Sequence, residues 1–93
     1  MNILIDVTAA RHKPWKPVTG EWRRVTDIIG MTIKGNVRFR VEGKRPDGTA
    51  TLLATFERDR TESKTALIVV RRNKVIRIVI DFAEPGSRLQ VWT

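Results

Sequence analysis

Met31-Thr32-Ile33-Lys34-Gly35-Asn36-Val37-Arg38-Phe39-Arg40-Val41-Glu42 alternates along its length. Met31, Ile33, Val37, Phe39 and Val41 share one parity, with Gly35 between them. Thr32, Lys34, Asn36, Arg38, Arg40 and Glu42 share the other. Successive side chains of a β-strand point to opposite faces, so this stretch predicts one long strand with an apolar inner row and a basic outer row. The outer row is also the first candidate for a functional surface.

Working outward, Asn2 to Val7 reads as a short strand. Pro46-Asp47-Gly48 supplies a turn, because proline presets φ and glycine accepts a positive one. Ala50 to Glu57 then returns as a strand with Ala50, Leu52, Ala54 and Phe56 inward, giving a hairpin with 31–42. Arg58 to Lys64 carries mixed charge and reads as a loop. Ala66 to Arg71 and Val75 to Phe82 read as a second hairpin about an Arg72-Asn73 turn, since asparagine tolerates positive φ. Glu84-Pro85-Gly86 turns once more into a last strand, Arg88 to Trp92. Residues 21–29 are open between one or two helical turns and an irregular strand: Trp22, Val25 and Ile28/Ile29 are helically spaced, Thr19 is available as an N-cap and Gly30 as a stop. Six or seven short strands with closely spaced turns predict an all-β, antiparallel sandwich or small barrel of Ig-like type, one domain over 1–93, with at most one short helix. The predicted core is Ile33, Val37, Phe39, Leu52, Phe56, Ile68, Ile76, Ile78 and Ile80.

Thr8 to Gly20 interrupts this pattern. Pro14-Trp15-Lys16-Pro17 lacks two backbone donors and favours polyproline II, which predicts an extended surface arm. Trp15 between its prolines is expected to be exposed in an isolated chain and buried against a neighbour after assembly. Trp15, Pro14, Pro17, Trp22 and Trp92 are the candidate partner-binding residues, because large aromatic surfaces anchor interfaces.

The 93 residues hold 18 Lys and Arg against 10 Asp and Glu, a net charge of +8. That excess points to an anionic partner. Lys34, Arg38 and Arg40 on the outer row, with Arg71, Arg72 and Lys74 near the second turn, are the candidate contacts to nucleic acid or to an acidic protein surface. Same-face residues on a strand repeat at about 6.8 Å, close to phosphate spacing. Single-strand binders interleave exposed aromatics with such charges, however, and Phe39 has inward parity.

No catalytic constellation is visible. His12 stands alone between Arg11 and Lys13, with no ligand partner at metal spacing. The aspartates are scattered singly, no nucleophile elbow surrounds Ser63 or Ser87, and no glycine-rich loop is built for phosphates. The expectation is a non-enzyme with no cofactor, metal or small-molecule substrate. The chain has no cysteine, no signal peptide and no apolar run of membrane-spanning length, so a cytosolic origin is expected and a membrane partner is not.

Val25-Thr26-Asp27-Ile28-Ile29-Gly30-Met31-Thr32-Ile33, then Val37-Arg38-Phe39-Arg40-Val41, then Arg45-Pro46-Asp47-Gly48-Thr49-Ala50-Thr51-Leu52-Leu53-Ala54-Thr55-Phe56 form a sequence of turn, charged strand, Asp-Gly-Thr turn and apolar return. About a third of the chain thereby resembles the short β-sandwich modules of tailed-phage virion proteins, such as N-terminal domains of baseplate and tail-fibre components. Ile29 stands where those modules usually carry threonine. The resemblance implies an assembly role, as a small subunit packed among copies of itself and other virion proteins. It implies no catalytic residues. A basic nucleic-acid-binding β-domain, such as a phage or plasmid regulator, is the alternative reading.

Overall fold

A computed structural model describes residues 2–25, 28–69 and 74–93, with 28, 58–69 and 74 described by their backbone alone. Seven strands follow in order: β1 Ile3–Thr8, β2 Val18–Thr19, β3 Arg23–Val25, β4 Ile28–Lys44, β5 Ala50–Val69, β6 Lys74–Ala83 and β7 Arg88–Trp92. Every pairing is antiparallel. The strands form one sheet that curls into a half-barrel. The all-β expectation holds, and among the described residues there is no helix: 23–25 settles as strand.

β4 is the central strand because its alternation lets one face pack while the other meets water. Met31, Ile33, Val37, Phe39 and Val41 are all buried, as the parity of the sequence requires. Along one edge β4 pairs with β5 from Ile28↔Val69 to Lys44↔Ala50. Along the other it pairs first with β7, over Gly30–Lys34, and then with β6, over Val37–Gly43. The change of partner falls at Gly35, whose φ of 85° is open to glycine at little cost. The pairing with β5 also shifts register there, between Ile33 and Gly35. Such irregularities bend and twist a strand. The 84–87 turn between β6 and β7 seats itself on this bend: Glu84 N–H donates to Asn36 O at 2.9 Å, and Asn36 N–H donates to Ser87 Oγ at 3.0 Å. The curl carries far enough that β3, leading into the start of β4, pairs with the Lys74–Ile76 end of β6, beside the far end of β4.

Three expectations need correction. Residues 58–64 are strand and not loop, because the whole of 50–69 follows β4. Residues 66–69 pair with β4, and among the described residues β5 does not pair with β6, so the second hairpin does not form as read. Leu52 is 60% exposed and is not core. The register slips between Val41↔Ala54 and Glu42↔Leu52, and a one-residue slip moves a side chain to the opposite face. Leu53 instead lies over Gly43, where an added Cβ would sit 3.1 Å from a Leu53 methyl. Ile33, Val37, Phe39, Ile76, Ile78 and Ile80 are buried as expected; Phe56 is half-buried, its ring stacked on Phe39 at 4.9 Å between centroids and 15° between planes. Of Ile68 only the backbone is described.

Candidate interaction surfaces

The outward basic row on β4 is the first candidate, and cross-strand neighbours determine its character. Arg38 Nη2 donates to Glu57 Oε1 on β5 at 3.2 Å. Its guanidinium also lies 6.0 Å from the ring centroid of the exposed Phe82 on β6. Arg40 lies between two carboxylates, with Nε 3.5 Å from Glu42 and Nη1 3.6 Å from Asp81. At those distances the attraction is that of charges without hydrogen bonds, and Arg40 Nε is buried with no hydrogen-bond partner. Glu42 Oε1 meanwhile accepts from Arg77 Nε at 2.8 Å. The Arg77 guanidinium lies 4.4 Å from the centroid of the Trp22 ring, and Lys44 Nζ lies 5.9 Å from it. The outer face is therefore a chain of alternating charges, in which the two arginines of the row face Glu57, Glu42 and Asp81. Lys34 is exposed with no ion pair among the described residues. Arg71 and Arg72 lie outside the described residues, and Lys74 is described by its backbone alone.

A further ion pair ties β1 to β7. Arg88 Nε and Nη2 donate to the two oxygens of Asp6 at 3.0 and 2.8 Å, and Gln90 Nε2 adds a contact at 3.3 Å. The hydrogen bonds from Arg88, more than its charge alone, hold the Asp6 carboxyl below the usual aspartate range and raise Arg88.

The arm is the second candidate, and its tryptophan is not free. Trp15 is half-buried against the core, and its Nε1 donates to Asp81 O at 3.1 Å. Its own sheet thus takes the indole that the sequence reading left exposed. Pro14 and Pro17 beside it remain exposed. The arm is anchored at both ends. Ala9 is buried, its N–H donating to Ser87 O and its carbonyl accepting from Gly86 N–H, both at 2.8 Å; Val18–Thr19 pairs with Ile80 and Val79. Trp92 is likewise half-buried, with its ring over Gly30: an added Cβ there would come within 2.6 Å of Trp92 Cε2. All three tryptophans thus rest at least partly on their own domain.

A surface the sequence reading missed is the outer edge of β5. Among the described residues this 20-residue strand pairs with β4 alone. Its first seven residues, Ala50 to Phe56, carry no charge, and Leu52 and Leu53 are exposed by 60% and 37%. An uncharged edge with free N–H and C=O groups is a template for a further strand. The signal was present in the lack of charge across 50–56, but the edge position was not, because it depends on which strands pair. Among the described residues no helix is long and apolar enough to cross a membrane, and no group of three or more metal-ligating side chains converges. No protein-family model, curated protein or solved structure matches the chain.

Proposed function

We propose that the chain is a non-enzymatic interaction protein, a small virion-type component that links neighbouring subunits or copies of itself. The observation that carries this reading is the uncharged edge at Ala50–Phe56, unpaired among the described residues, with Leu52 and Leu53 exposed. Strand addition there gives affinity through backbone hydrogen bonds and specificity through the two leucines. The neutralised outer row speaks against the alternative of a nucleic-acid-binding β-domain, since arginines already facing carboxylates release fewer counterions to a phosphate backbone.

Light scattering on the eluting full-length chain tests the reading at about 100 μM, where a micromolar contact is occupied. Self-association is expected, and Leu52→Lys with Leu53→Lys should abolish it while leaving the circular dichroism unchanged, because edge lysines block pairing. A wild-type monomer that binds DNA or RNA at sub-micromolar dissociation constant in ~150 mM salt defeats the proposal and promotes the alternative.

A further inference from the structure

Between the arm and the β6–β7 turn lies a cleft of about 420 Å³. Its walls are largely apolar: Ala9, Ala10, Pro14, Trp15, Ala83 and Pro85. The two charged residues that line it are both lysines, Lys13 and Lys16, and no carboxylate joins them. Both lysines are exposed and have no ion pair among the described residues. They stand three residues apart, separated by Pro14 and Trp15, and both line the same cleft.

The cleft is held in place by the backbone. Ala9 is clamped to the 86–87 turn by two 2.8 Å hydrogen bonds, one through its N–H and one through its carbonyl. Trp15 is pinned through its indole N–H to Asp81 O. A ligand entering here therefore meets walls already ordered, and loses little to induced ordering. The volume falls in the range of small-molecule sites, roughly 300–1,000 Å³, whose usual form is an apolar lining with a few convergent polar groups.

We propose that this cleft binds a small amphipathic anion, a carboxylate carried on a compact apolar body. The apolar body packs against Trp15, Ala9 and Ala83, and the carboxylate meets the ammonium groups of Lys13 and Lys16. The site binds without turnover. It is independent of the β5 edge, so it survives or fails separately from the assembly reading.

Octanoate is the probe, titrated into the ¹⁵N-labelled full chain. The indole N–H resonance of Trp15, identified by its loss in Trp15→Phe, should shift saturably together with the amides of Ala9 and Ala83. The expected dissociation constant is on the order of 0.1–1 mM, that of a ligand of about ten heavy atoms. Octylamine, with the same number of carbons and the opposite charge, should shift these resonances far less. Lys13→Gln with Lys16→Gln should weaken octanoate binding roughly tenfold while leaving the spectrum of the free protein otherwise intact. The proposal is overturned if octylamine binds as well as octanoate, if the double variant binds octanoate undiminished, if the shifts lie away from the cleft, or if none saturates below about 10 mM.

Discussion

Phe39→Ala removes a large ring from the core of the half-barrel. Phe39 is fully buried and stacks on Phe56 at 4.9 Å. Truncation forfeits the transfer energy of the ring, leaves a cavity under a strand held on both edges, and deprives Phe56 of its stacking partner. Together these cost about 3–5 kcal/mol. A domain of 93 residues is stable by about 5–14 kcal/mol, so the loss removes about a fifth or more of the total. The melting temperature should fall by about 12–40 °C.

Leu52→Ala is the matched control. Both residues were assigned to the core by parity, but Leu52 is 60% exposed. With less than half of its side chain out of water, its truncation should cost only about 0.5–1 kcal/mol, or about 2–8 °C. Urea unfolding followed by tryptophan fluorescence, at concentrations low enough to exclude association through the β5 edge, measures both. Equal costs for the two variants, or a Phe39→Ala loss below about 1 kcal/mol, would refute the register slip at Glu42↔Leu52 and the placement of the core.

Two further outcomes are expected. Gly35→Ala combines a positive φ with a collision between the new Cβ and Ser87 Oγ, whereas Gly48→Ala has a similar φ of 89° with nothing within 4 Å; the first should cost about 1–3 kcal/mol more than the second in denaturant titration, and parity between them would show that the Gly35 bend is not tight. Asp6 has its folded-state pKa lowered by Arg88, so its contribution is fully present above the unfolded aspartate value near ~3.9 and is lost as pH falls through the lower folded value. The melting difference between wild type and Asp6→Asn should therefore shrink between about pH 5 and pH 2, and a difference that stays constant across that window would separate Asp6 from the pair.

What the sequence disclosed and what it withheld have separate physical causes. The inner row of β4 was legible because burial on one face imposes a period of two on consecutive residues, and that period is local. Residues 58–64 were misread for a related reason: alternating charges look like a loop when no partner is known, yet Asn36↔Asp59 and Val37↔Arg58 are simply paired strand. Leu52 was misplaced because a bulge counts one residue that parity does not. The outer row looked basic because, apart from Glu42 within the row itself, the carboxylates that face it are remote in sequence. Glu57 lies 19 residues from Arg38 and Asp81 lies 41 from Arg40, and on the neighbouring strands Glu42 lies 35 from Arg77 and Asp6 lies 82 from Arg88. Only the pairing of strands brings these charges together, so net charge overstated what the outer face of the sheet offers a polyanion.

The same long-range pairing explains where the remaining positive charge collects. Glycine at position 35 lets β4 bend and change partners, and the 84–87 turn fills the bend through Asn36 and Ser87. That turn presents Gly86 N–H and Ser87 O on its other side, where they take both backbone groups of Ala9. The arm is thereby fixed at its root, and β2 fixes its far end on β6. Between these anchors the chain has no acidic residue: Ala10 to Pro17 carries Arg11, Lys13 and Lys16 with the single histidine. Strand faces supply carboxylates opposite their arginines because cross-strand positions are side by side. A segment that spans the sheet between two anchors has no such register, and among the described residues its lysines form no ion pair. The bend that shapes the barrel is thus also what places the cationic cleft.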